Sequence, residues 1–167
     1  MAKIKREVNF KNLVRELAHN KVDALELLRE ALANARDHGA SRVWIRSVRG
    51  PAPTLATDLF VMNDGEGMSH DQLRAFWGVS SSVKEDPTRA IGYKGHGSKL
   101  YFSCRRLSVA TRRDNSGQWT LTTLEDPLDS DSREIDSTSL PSSHRLAEEL
   151  ASVKLDKLSG ALCANVV

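Results

Sequence analysis

Leu59-Phe60-Val61-Met62-Asn63-Asp64-Gly65-Glu66-Gly67-Met68 is the stretch on which the fold of this chain turns. Four apolar residues in a row, stopping at Asn63-Asp64, have the character of a strand buried in the middle of a sheet. An ionised carboxylate only accepts hydrogen bonds. Asp64 at a strand end can therefore select a ring that presents an amine, as adenine does. Gly65 and Gly67 let backbone approach such a ring, and Met68 can pack on it. A plain Asn-Asp-Gly turn explains the first glycine equally well, and at this point the two readings stand level.

Upstream, residues 23–38 read as a helix whose buried stripe is Leu25, Leu28, Leu32 and Ala35, with Gly39 as its stop. Glu30, Asn34 and Asp37 fall at i, i+4 and i+7 and form a polar stripe roughly opposite those leucines. Taken alone, that stripe is a solvated face. Facing a cleft, it has a chemistry: Glu30 can take a proton from an attacking water. Asn34 offers a neutral carbonyl oxygen to Mg²⁺, which keeps waters and phosphate oxygens as its other ligands. Asp37 can bond a sugar or orient its neighbours. Between this helix and the central strand, residues 42–48 alternate as a strand and residues 50–53 make a Gly-Pro turn.

Downstream, Ser69 can cap a helix reaching about Trp77. Residues 78–99 then form a long, polar, glycine-rich loop, a length more often functional than passive. Within it Gly92, Gly95 and Gly97 allow backbone amides to converge on an anion, and Ser98, Lys94 and Lys99 add donors and positive charge. The pattern is neither the Walker loop nor the dinucleotide fingerprint. Residues 100–104 look helical, and residues 107–113 and 119–124 read as a hairpin. Residues 126–143 read as a flexible loop, 144–157 as a last helix and 158–167 as a final strand. A short helix over residues 10–17 opens the chain.

Composition bounds the rest. The chain has 167 residues, 40% hydrophobic and 28% charged, which suits one globular domain with a real core. A formal charge of +2 does not argue for nucleic acid as a partner, nor does it exclude it. Arg105-Arg106 and Arg112-Arg113 read as solvated strand ends. Cys104 and Cys163 fit no metal or redox spacing, so two reduced thiols and a cytoplasmic location are expected. No secretory signal and no run of membrane-spanning length is seen.

The three polar segments together resemble the motifs of the GHKL superfamily, which groups gyrase, the heat-shock chaperone of ninety kilodaltons, histidine kinases and MutL. Glu30-x-x-x-Asn34-x-x-Asp37-x-Gly39-Ala40 is similar to the first box of MutL-like and MORC-like members, and Asp64-Gly65-x-Gly67-Met68 to the second. Residues 76–84 and 91–99 resemble the ATP lid of MORC-type and chaperone-type members. The likeness covers about residues 10 to 125. It implies the Bergerat fold: an α/β sandwich, a mixed sheet covered on one face by helices, with a long lid at about 78–99. It implies ATP and Mg²⁺ as ligands, with Glu30 the general base, Asn34 the metal ligand and Asp64 the adenine contact. Gly92, Gly95 and Gly97 would wrap the phosphates, joined by Ser80, Ser82, Lys84 and Lys94.

Two departures qualify the resemblance. Many relatives open a late strand with Gly-Thr, and the threonine helps bind adenine. Here the nearest pair is Gly160-Ala161, and Thr111, on another strand, is the substitute considered. Many relatives also continue into a second domain that donates a lysine or arginine to the γ-phosphate. The chain is therefore expected to be one domain of a longer protein and to hydrolyse ATP slowly alone. The expected function is an ATP-driven switch with ATP-dependent self-association and an unknown protein client. The alternatives are a protein kinase of the anti-sigma or histidine-kinase type, and a non-catalytic module that has lost nucleotide contact.

Overall fold

Strand β2 (Thr57–Asn63) is the hub of the sheet. In the computed structural model, which describes residues 24–50, 57–78, 97–113, 117–130, 134–153, 158 and 160–166, it lies between β1 (Val43–Arg49) and β6 (Gly160–Val166). Beyond β6 follow β3 (Arg106–Thr111), β4 (Thr120–Glu125) and β5 (Ser137–Ser139), in the order β1-β2-β6-β3-β4-β5. Phe60 and Met62 are sealed on one face of β2, and Val61 on the other. Burial on both faces is the physical content of the unbroken apolar run.

The α/β sandwich is the fold expected. Two of its details differ. Every pairing among the described residues is antiparallel rather than mixed. Helices also lie on both faces, not one. Alternation along the strands sorts the core into two clusters. Val61, Leu107, Val109 and Ala164 pack with α1 (Ala24–Asp37), α2 (His70–Trp77) and a 3₁₀ helix (Gly97–Ser103). Phe60, Met62, Ala110, Leu121 and Ala161 pack with α3 (Arg145–Ser152) through Leu146. Arg145 pairs with Asp58, and Arg46 with Glu149 at 2.7 Å, which ties α3 to β2 and β1. Residues 126–143, expected as a loop, supply β5 at the sheet edge. The helix expected over residues 10–17 lies outside the described residues.

Helix α1 requires a correction that matters for the site. Its buried stripe is Leu27, Ala31 and Ala35, at i, i+4 and i+8, with Leu28 partly buried beside it. Leu25 is 69% exposed and Leu32 45% exposed. Leu27 and two small alanines, not the flanking Leu25 and Leu32, face the core. The Glu30/Asn34/Asp37 stripe is therefore not opposite the core. It borders it, one position around the helix from Leu27 and Ala31.

Local capping follows the sequence. Ser69 and Gln72 form a reciprocal capping box at the start of α2. Gly39, at φ 72°, ends α1. Helix α3 is capped differently: His144 Nδ1 accepts the Leu146 amide at 3.2 Å. Only a neutral imidazole can accept in this way. Burial, and then the charge of Arg106, hold the His144 pKa below its usual 6.5. The folded protein thus binds fewer protons than the unfolded chain just below pH 6.5. The cap's contribution, about 1 kcal/mol, is complete above pH 6.5 and is lost as the pH falls below it. Urea midpoints measured from pH 8 to pH 5 are expected to drop in the wild type and to lose that component in His144→Ser.

Candidate functional site

The site is built where α1, the end of β2 and the end of β3 converge. On α1, Asn34 Nδ2 donates to Glu30 Oε1 at 3.0 Å in a part-buried setting. That bond fixes the amide so that its carbonyl oxygen is the atom left to face a cation. Among the described residues no cluster of three or more His, Cys, Asp or Glu could hold a metal. A single amide oxygen nevertheless fits Mg²⁺, whose remaining ligands are commonly waters and nucleotide oxygens. Asp37 closes the same stripe at the last residue of α1.

The loop after β2 folds back against the end of α1, with the Glu66 amide donating to the His38 carbonyl at 2.8 Å. It also presses on β3. A Cβ at Gly67 would stand 2.1 Å from the Arg112 carbonyl oxygen, so no side chain fits there. Here the glycine's first job is close packing of backbone on backbone. The Met68 amide donates to Thr111 Oγ1 at 2.6 Å.

Asp64 bonds back to the start of β1. Its Oδ1 accepts the amides of Ser41 and Arg42 at 2.9 and 2.7 Å, and its Oδ2 accepts Ser41 Oγ and Arg42 Nε at 2.8 and 3.0 Å. Burial alone would raise its pKa. The bonds from Arg42 and Ser41 override that and hold the carboxyl far below the usual carboxylate range. A carboxylate with all these partners fixes the α1–β1 connection.

The neighbouring residue lies on the α1 side of the sheet. Asn63 shares a face with Leu59 and Val61, the face that α1 covers. Register places Asn63, Gly160 and Thr111 side by side across β2, β6 and β3. Asn63 Oδ1 accepts the Gly65 amide at 3.1 Å, which turns the chain out of the strand. Ala161 belongs to the cluster on the α3 face, so a hydroxyl there would not reach the cleft. Thr111, three per cent exposed, stands on the cleft side of the sheet. Counting strand parity back from Val61 was the signal that could have found Asn63.

Lys99 is also elsewhere than expected. It is fully buried, its ammonium donates to the Phe76 carbonyl at the end of α2, and it lies 5.1 Å from the Phe102 ring centroid and 5.8 Å from that of Phe76. Burial brings its pKa down to about 7. Lys99 therefore anchors the 3₁₀ helix to α2. Ser80, Ser82, Lys84, Gly92, Lys94 and Gly95 lie outside the described residues. Gly97 opens the 3₁₀ helix and Ser98 follows it. No helix among the described residues is long and apolar enough to cross a membrane.

Solved structures of similar fold include the ATPase region of Saccharomyces cerevisiae topoisomerase II, at 16% identity and a TM-score of 0.54. That likeness covers 84% of this chain and 37% of the other. The ATPase and transducer domains of DNA topoisomerase II from Balamuthia mandrillaris match at 21% identity and a TM-score of 0.54, over 87% of this chain and 38% of that one. The chain thus spans well under half the length of these structures, and at such identities the likeness is one of fold. No curated protein sequence is significantly similar to it. The model of one family, described as histidine kinase-, DNA gyrase B-, and HSP90-like ATPase, matches residues 17–155. With that match across most of the chain, and the antiparallel sheet and α1 stripe arranged as described, the chain belongs to the histidine kinase-, DNA gyrase B- and HSP90-like ATPase family.

Proposed function

We propose that this chain is a Mg²⁺-dependent ATP-binding domain that acts as a conformational switch, with slow hydrolysis. The observation that carries the reading is the bonded Glu30–Asn34 pair at the border of the core of a chain that belongs to this ATPase family. Glu30 is the group that takes a proton from water. Asn34 is the residue that would hold Mg²⁺, which supplies charge neutralisation for the phosphates. Asn63 and Thr111 read the purine edge in place of Asp64, Gly65 and Gly67 shape the floor, and Met68 lies beside it. Gly92, Gly95, Gly97, Ser98, Ser80, Lys84 and Lys94 supply the phosphate side. ATP-dependent self-association and action on a protein client belong to the same reading. Cys104, buried and in no disulfide, suits a reducing cytoplasm.

Calorimetric titration with ATP and Mg²⁺ tests the site. Asn63→Ala is expected to weaken ATP binding about tenfold, the scale of one or two lost hydrogen bonds. Asn34→Ala is expected to remove the Mg²⁺ dependence of the affinity. Undetectable binding in the wild type would overturn the proposal. Transfer of the γ-phosphate to a protein rather than to water would move it to the protein-kinase class.

A further inference from the structure

Tyr101 lies in the core at 2% exposure, on the 3₁₀ helix, yet its hydroxyl reaches α1. The hydroxyl donates to the Leu27 carbonyl at 3.2 Å. Leu27 is one turn before Ala31 on the buried stripe, and the turn between them carries Glu30. The ring stacks on Phe76 of α2, with centroids 6.3 Å apart and planes 24° from parallel. One side chain therefore joins three elements at the level of Glu30. From the opposite direction, Asn34 Nδ2 holds the Glu30 carboxylate at 3.0 Å.

We propose that Tyr101 is a positioning residue for ATP hydrolysis: its hydroxyl holds the Leu27–Ala31 turn of α1 at the depth from which Glu30 meets the attacking water. The inference rests on the reading of Glu30 as the base. Burial raises the Tyr101 pKa first, and the Glu30 charge raises it further, so the phenol stays protonated and remains a donor at every physiological pH. The proximity of that charge also places Glu30 within electrostatic reach of the ring. A base misplaced by a fraction of an ångström loses rate without losing ligand affinity, because binding uses other contacts.

The test is phosphate release by the whole chain in four forms: wild type, Tyr101→Phe, Glu30→Gln and the double variant. Tyr101→Phe is expected to lower kcat about five- to tenfold, the scale of one buried hydrogen bond, with KM for ATP within twofold. In the Glu30→Gln background the same change is expected to have no further effect, since a residue acting through Glu30 has nothing left to position. Equal losses in both backgrounds, or kcat and KM moving together, would mark a merely structural role and overturn the inference. A Tyr101→Phe turnover equal to wild type would do the same while leaving Glu30 as base. No turnover in the wild type would remove the base assignment and this inference with it.

Discussion

Glu30→Gln is expected to reduce phosphate release at least about 100-fold, the low end of what a general base contributes, while ATP affinity stays within a few-fold. The substitution keeps the shape of the side chain and an oxygen that can still accept from Asn34 Nδ2, now held at 3.0 Å by the carboxylate. It removes only the basicity. Glu30→Ala is a less clean test, because it also releases the Asn34 amide and frees its carbonyl oxygen to rotate. Coupled phosphate-release kinetics and calorimetry on the same preparation separate the two effects. Unchanged turnover in Glu30→Gln would mean that water is activated by another group.

Asp64→Ala is expected to act on stability rather than on nucleotide. The side chain accepts four bonds that close the α1–β1 connection, from the amides of Ser41 and Arg42 and from their side chains. Charged hydrogen bonds are worth about 1.5–3 kcal/mol each when buried. Ser41 and Arg42 are exposed, so water replaces part of the loss, and about 2 kcal/mol in total is the expected cost. For a chain of this size that lowers the melting temperature by about 4–8 °C. The pH dependence has a definite direction. The folded-state pKa of Asp64 lies below its ordinary 3.8, so the carboxylate's contribution is present above pH 3.8 and is lost as the pH falls below it. Acid unfolding of the wild type is expected to contain this component, and that of Asp64→Ala to lack it. Affinity for ATP, measured well below the melting temperature, is expected to change less than in Asn63→Ala. A large loss of affinity in Asp64→Ala with no thermal shift would restore the carboxylate to the purine.

The division between what was legible in the chain and what was not follows the range of the forces involved. Periodicity and local chemistry marked the strand at residues 59–62, the helix cap at Ser69, the β3–β4 hairpin, the stop at Gly39 and the Glu30/Asn34/Asp37 stripe. Each depends on neighbours within a few residues, through backbone sterics and side-chain alternation. The same local signals misplaced the buried face of α1. Leucines carry more apolar area than alanines, but the face of α1 turned to the core carries Leu27, Ala31 and Ala35, and which face turns inward is set by the elements packed against it. Asp64 and Asn63 are adjacent in sequence, but Asn63 is the last residue of β2 and Asp64 lies just beyond it, bonded to Ser41 and Arg42. Which of them meets the cleft was decided by the residues across the sheet, at Gly160 and Thr111, and by Ser41 and Arg42 waiting for the carboxylate. Lys99 reads as a phosphate ligand only until the Phe76 carbonyl and two aromatic rings enclose it. The sequence by itself determined the elements and the family's polar stripe. The tertiary structure alone decided which polar groups are consumed by the protein's own hydrogen bonds and which remain for a ligand, because that choice depends on contacts between residues far apart along the chain.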